Sequence, residues 1–347
     1  MKIAIYKDSQ RVTHSTNWAN VWANYCQDNN IDYEFLDLFR CNSFEKLKNF
    51  QILLWHIEQY NHAEMLEARS ILYSAKKMGL KVFPDYNDAW HFDDKIAEMY
   101  LLQSVNASIP KSYVYYDYKS VKRAVDEGNF TFPIVAKLRS GSGSHNVKLI
   151  KTKHSLLSYA SKMFSKGINP APSFFYKASS NIRSSHNKQQ FLSKMKRIPE
   201  FLRTLSNARH FPREKDYVYL QEFIPNDGYD MKVVVVGEKC CGFYRPVRSY
   251  DFRASGGGEI HFDKKYFSKN IIDSAFKVAD ALGVQCIGFD FVIDKDTGKG
   301  NIVEMSYGFL YTAVMDANGY FDREYVWHEE PLNAPVEILK NLIGDEY

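Results

Sequence analysis

The chain has 347 residues, 45% hydrophobic and 25% charged, with 45 Lys and Arg against 41 Asp and Glu for a net charge of +4. That balance suits a globular protein with room for two or three subdomains and excludes a collagen-like, disordered or disulfide-stapled chain. No run reaches the ~20 apolar residues needed to span a bilayer. The five cysteines (26, 41, 240, 241 and 286) are odd in number and form no C-x-x-C pair. The apolar stretch in MKIAIYKDSQ is too short for a secretory signal, so a reducing cytoplasmic setting is expected.

In residues 1–91, apolar runs at Lys2–Tyr6, Tyr33–Leu38, Gln51–Trp55 and Leu80–Phe83 alternate with helical stretches. This pattern predicts a small parallel sheet covered by helices. No G-x-G-x-x-G follows the first run, so a dinucleotide domain is not supported. Asp8 and Trp18 follow the first run and His56 the third; packing is the simpler explanation of each, with substrate contact the alternative.

Residues 132–150, FPIVAKLRSGSGSHNVKLI, read as strand, Gly/Ser loop and strand. Lys137 closes the first strand, and Gly141 and Gly143 would let backbone N–H groups close over an anion. This is not a P-loop, because no GxxxxGK[ST] occurs and a strand follows. A flexible hairpin tip is the competing reading.

From Lys162 to Arg213 there are eleven Lys and Arg and one acid, Glu200, which gives +10 here and leaves −6 for the remainder. Phe191, Met195, Ile198, Leu202 and Leu205 recur at spacings of three and four, which predicts an amphipathic basic helix broken near Pro199. Either this is a solvated face over a local core, or it attracts an acidic polymer, a nucleotide-linked sugar or an anionic membrane surface. Nucleic acid is not an expected partner, and the oligomeric state is left open.

Residues 217–236, YVYLQEFIPNDGYDMKVVVV, predict a strand ending at Gln221, Glu222 and Phe223, a turn, and a second strand with Asp230 and Lys232 on one face. Arg245, Arg248 and Arg253 follow in nine residues and lead to a triple glycine, a combination suited to a multiply charged ligand approached closely by backbone. Residues 286–308, CIGFDFVIDKDTGKGNIVEMSYG, predict a hairpin turning at DKDTGK. Centred on Thr297, it places Asp290 opposite Glu304, with Ser306 on the same face. Carboxylates opposed at about 5 Å between Cβ atoms repel unless a cation lies between them. Such oxygen ligands suit magnesium, and an acid pair on a solvated sheet face is the alternative.

In this order, Lys137 with its loop, QEFIPNDGYDMK, DFRASGGG and GFD…VEMS resemble the motifs of the ATP-grasp superfamily. The resemblance, over about residues 92–315, is strongest to RimK-type carboxylate–amine ligases and related proteins of polysaccharide-biosynthesis clusters. It implies an α/β protein: a small Rossmann-like N-terminal domain (1–91), a lid lobe (92–225) carrying the insertion 162–213, and a metal-binding lobe (226–347). It implies that Lys137 and Lys95 bind ATP phosphates beside Gly141 and Gly143. Glu222 and Phe223 would hold adenine through their backbone, and Asp230 the ribose beside Lys232. Arg253 would bind phosphate, and Asp290, Glu304 and Ser306 would hold magnesium or manganese. The implied catalytic groups are Arg253, Arg248 and Lys137, with Arg248 and Arg245 orienting a carboxylate. The implied reaction is ligation through an acyl phosphate with release of ADP and phosphate, joining a small carboxylate donor to an amine or sugar acceptor. A phosphotransferase and a non-catalytic ATP-binding module are the alternatives. Two positions depart from the family pattern: Ser306 replaces an asparagine, and Lys232 an arginine.

Overall fold

The computed structural model describes residues 1–7, 17–59, 61–141, 146–170, 212–247, 252 and 259–344. Three sheets organise them. β1 (Lys2–Tyr6), β2 (Asp32–Leu36), β3 (Ile52–Leu54) and β4 (Lys81–Phe83) form a parallel sheet in the order β2-β1-β3-β4. Helices α1 (Trp18–Asp28), α2 (Ser43–Lys46), α3 (His62–Lys77) and α4 (Tyr86–Ala89) accompany it. The Asn17 side chain accepts from the Asn20 N–H and caps α1, and Asn61 caps α3 in the same way, so side-chain oxygens mark both starts.

The second sheet joins β5 (Ser112–Tyr115), β6 (Ile134–Lys137), β7 (Lys148–Ile150) and β8 (Val218–Glu222) antiparallel in the order β5-β8-β6-β7. With α5 (Lys95–Ser104), α6 (Tyr118–Asp126) and α7 (Lys153–Met163) it encloses a core that includes Ile134, Ala136, Val218 and Leu220. Strand alternation then turns Val135 and Lys137 to the opposite face.

The third sheet is antiparallel, with β9 (Tyr229–Val236), β10 (Lys239–Pro246), β11 (Cys286–Ile293), β12 (Gly300–Ser306), β13 (Tyr320–Phe321) and β14 (Trp327–His328) in the order β12-β11-β9-β10-β13-β14. The uninterrupted VVVV of β9 is buried on both faces. Val233 and Val235 pack in the core under α8 (Lys269–Leu282), while Val234 and Val236 pack in the core shared with the parallel sheet. That shared core also takes in α9 (Tyr311–Met315) and α10 (Ala334–Ile343), so the C-terminal helix completes the packing of the first 91 residues. Trp22 Nε1 donates to the Pro335 carbonyl at 2.8 Å across this junction.

Among the described residues no helix is long and apolar enough to cross a membrane. All five cysteines are free thiols. The predicted basic helix lies almost wholly outside the described residues, as do Asp8, Gly143, Arg248, Arg253 and the triple glycine.

Candidate functional site: a charged cleft between two antiparallel sheets

The four-stranded and six-stranded sheets face each other across a cleft. Val135 and Lys137 of β6 line one side, with Gln221 and Glu222 at the end of β8 and Phe223 and Ile224 just past it. Asp230, Asp290, Val292, Val303 and Glu304 line the other. Apolar walls surround a group of convergent charges, the usual make-up of a small-molecule site.

The placement of Glu304 depends on an irregularity. Near the turn β11 and β12 pair regularly, Ile293 with Gly300 and Phe291 with Ile302. The register then shifts, and Asp290 pairs with Glu304. Strict alternation would have put Glu304 on the buried face of Ile302. The extra residue, Val303, makes a β-bulge that turns both itself and Glu304 to the cleft. The bulge carbonyl accepts from Lys137 Nζ at 2.8 Å, so the lysine of one sheet touches the hairpin of the other.

Each carboxylate in the cleft has side-chain cations beside it. Lys232 Nζ lies 2.7 Å and Arg245 3.0 Å from Asp290 Oδ1. Arg245 also grips Asp230 with two bonds of 2.7 and 2.9 Å. Lys95 Nζ is 3.3 Å from Glu304 Oε1 and donates to the Gly141 carbonyl at 2.7 Å. Burial would push the Asp290 carboxyl up, but Lys232 and Arg245 outweigh it and hold the group below its ordinary value. Burial dominates at Asp230, which is pushed up to about 6. Burial likewise pulls the Lys137 ammonium down to about 8, and Glu304 counters it only in part. Lys95 goes the other way, because Glu304, Asp93 and Glu98 together overcome its desolvation. Glu98, buried beside it on α5, accepts from the Met305 N–H at 3.2 Å and is pushed up to about 8 by burial.

No family model matches the chain. A stretch of 148 residues is 29% identical to tetrahydromethanopterin:alpha-L-glutamate ligase of Methanosarcina acetivorans, covering 38% of this chain. That stretch spans 42% of the length of the curated relative. Among solved structures, a RimK domain ATP-grasp protein from Sphaerobacter thermophilus superposes with a TM-score of 0.55 over 99% of this chain and 100% of its own, at 13% identity. The ATP-grasp ligase PsnB, complexed with a minimal precursor, gives 0.57 over 99% of both chains at 12% identity. D-alanine–D-alanine ligase of Bacillus anthracis, complexed with ATP, gives 0.54 over 90% of this chain and 87% of its own, also at 12%. The chain has an ATP-grasp fold.

Within this ATP-grasp fold, Lys137, Glu222, Phe223, Asp230, Asp290 and Glu304 line one cleft. Lys95 reaches it through Glu304, and Lys232 through Asp290. Four contacts bear on the roles expected of these residues. The Gly141 N–H is not open to an anion, because it donates to Asp93 Oδ1 at 2.8 Å. The Glu222 N–H donates to the Lys111 carbonyl at 2.8 Å. Arg245 does not point at a substrate carboxylate but binds Asp230 and Asp290, so the Asp230 carboxylate is already engaged. The Ser306 hydroxyl donates to the Gly308 carbonyl at 3.1 Å and accepts the Gly308 N–H at 3.0 Å, which closes a local turn.

Among the described residues no three His, Cys, Asp or Glu side chains gather closely enough to hold a metal ion alone. Asp290 and Glu304, paired across the strands, nevertheless offer the one or two carboxylates that magnesium takes when water and phosphate complete its coordination. The donor set therefore fits a hard divalent ion at two residues rather than three. Sequence reasoning missed Asp93, Glu98 and the Val303 carbonyl. Asp93 stood next to a named residue in Asp93-Asp94-Lys95, but nothing local tied it to the loop at 141.

Proposed function

We propose that the protein is an ATP-dependent ligase that activates a carboxylate for attack by an amine. The observation that carries this reading is the cleft itself: Lys137, Lys95, Asp290 and Glu304 converge beside the apolar surfaces of Val135, Ile224 and Val292, so one end suits phosphates and the other a flat ring. Residues 92–225 would form the lobe that covers the nucleotide, and 226–347 the lobe that carries the acids. Asp290 and Glu304 would hold a divalent ion, whose chemistry there is to neutralise phosphate charge. Lys137 and Lys95 would place fixed positive charge against the phosphates in a site that excludes water, where such charge acts most strongly. Arg253 and Arg248, by their order in the chain, would bind phosphate and carboxylate.

Such a site favours attack of a substrate carboxylate oxygen on the γ-phosphorus, with ADP leaving. The incoming amine would then attack the acyl carbon, forming the C–N bond as inorganic phosphate leaves. Positioning and charge neutralisation, more than proton transfer, set the rate of such phosphoryl transfers. The relative from Methanosarcina, named as a ligase of α-L-glutamate, supports an amino acid as one partner. The other partner is proposed, on resemblance alone, to be a small acid or an acidic sugar precursor.

The test is ADP release screened over amino acids and uronic acids, with hydroxylamine present. A trapped hydroxamate with ADP is the expected outcome. AMP with pyrophosphate would sink the mechanism, and a phosphorylated acceptor would assign a phosphotransferase. The engaged Ser306 hydroxyl favours a second reading, a nucleotide-binding module without turnover, which predicts ATP binding but no ADP with any pair.

A further inference from the structure

Lys232, Asp290 and Glu304 stand in one row across three adjacent strands. Asp290 of β11 pairs with Lys232 of β9 on one side and with Glu304 of β12 on the other. The lysine reaches the acid over Gly288. A Cβ at Gly288 would lie 3.2 Å from Lys232 Cδ, tighter than most side-chain contacts, so the missing side chain leaves the lysine stem its path. The two cations on Asp290 are not equivalent. Arg245 is anchored to Asp230 by two bonds, whereas the ion pair of Lys232 is with Asp290.

We propose that Lys232 is a resident counter-ion that competes with a divalent cation for Asp290, so that the ion enters the site with the nucleotide and not before it. This rests on the nucleotide site proposed above. The lysine lies 2.7 Å from Oδ1 of Asp290, the oxygen Arg245 also holds, so both resident cations weigh on the carboxylate that an ion shared with Glu304 would use. A free divalent cation must displace an ammonium from a buried acid and lose its own water, gaining only two carboxylates. An ion arriving on phosphates brings anionic oxygens of its own. Those same phosphates then offer the displaced Lys232 ammonium a new partner, so no charge is stranded in the cleft.

The test reads manganese binding directly, from the loss of the free-ion electron paramagnetic resonance signal, with and without a non-hydrolysable ATP analogue. Wild-type protein is expected to bind manganese weakly alone and much more tightly with the analogue. Lys232→Met keeps the stem and removes the charge, so its nucleotide-free affinity should rise roughly tenfold or more. Lys232→Arg keeps the charge and should behave like wild type. Wild-type protein that binds manganese equally well with and without the analogue overturns the proposal, and this arm needs no variant. So does a rise in both Lys232→Met and Lys232→Arg, which would make the effect steric. If Lys232→Met loses its near-ultraviolet circular dichroism, Lys232→Gln replaces it. Should the analogue bind to none of the proteins, the nucleotide site fails, while the nucleotide-free comparison still decides the competition.

Discussion

Lys137 is a cation with little water around it, 6% exposed and touching the Val303 carbonyl. Its ammonium is pulled from 10.5 to about 8, chiefly by burial. Because the folded pKa is the lower one, the unfolded chain holds more protons at this residue between those values, and stability rises with pH through the window. Lys137→Met should therefore compare best with wild type below pH 8. That relative advantage should shrink by about 2 kcal/mol as pH goes from about 7 to about 9.5. Urea unfolding at several pH values measures it, and calorimetry should show ATP binding lost in the same variant. Asp290 behaves oppositely. Its depressed pKa means that its contribution is present above the unfolded value and lost as pH falls below it. Asp290→Asn leaves Lys232 buried without its acid, and a loss of about 3 kcal/mol is expected in the same unfolding assay.

At the scale of elements, two glycines separate close packing from tolerance. Gly242 on β10 pairs with Val233, and a Cβ there would fall 2.5 Å from the Lys232 carbonyl oxygen and 2.6 Å from the Phe267 ring. Backbone cannot step aside cheaply, so Gly242→Ala should cost about 1–3 kcal/mol and disturb β9 at Lys232. A Cβ at Gly300 would meet Ile271 Cδ1, the free end of a flexible side chain. Gly300→Ala should consequently be much milder. Thermal melts of both, with and without ATP, check this: only the Gly242 variant should also lose nucleotide-dependent stabilisation.

At the scale of the whole molecule, the sequence ends of the described chain meet. Trp22 donates to Pro335, Lys81 Nζ donates to the Leu342 carbonyl at 2.7 Å, and Leu339 and Ile343 lie in the same core as Ile3 and Ile5. Truncation after Leu332 should therefore unfold the parallel sheet, even though that sheet is built from the first 91 residues. Hydrogen exchange should show β1 and β3 losing protection in the truncated protein, with the four-stranded sheet of β5 to β8 retaining more of its own. Normal protection in β1 and β3 would show that α10 is dispensable. The basic segment 162–213 bears on the whole molecule through its +10 charge. If it recruits an acidic acceptor, the acceptor KM should climb as salt goes from ~0.01 to ~0.15 M while the KM for ATP changes little. Glutamine at Lys194, Lys196 and Arg197 should flatten that slope.

The local pattern was sufficient for the strands and for much of the cleft lining. Alternation and turn chemistry act over a few residues, so the four runs of the parallel sheet, the strand–loop–strand around Lys137 and the hairpin after Cys286 could be read before folding was considered. Lys137, Glu222, Asp230, Asp290 and Glu304, singled out from motif order, line one cleft in the folded chain. The sequence reading centred the hairpin on Thr297, whereas the regular pairs centre it half a residue earlier. The bulge at Val303 restores Glu304 to its position opposite Asp290. What the sequence could not state is strand order. Lys232 faces Asp290, and Arg245 takes Asp230, only because β9 lies between β11 and β10. The same holds for the Gly141 amide on Asp93 and for α10 against the first sheet, contacts between residues 48 or more positions apart. A local pattern tells a residue which face it occupies. Only the packed sheets decide which charge stands opposite it, because that pairing is fixed by neighbours the chain reaches from far away.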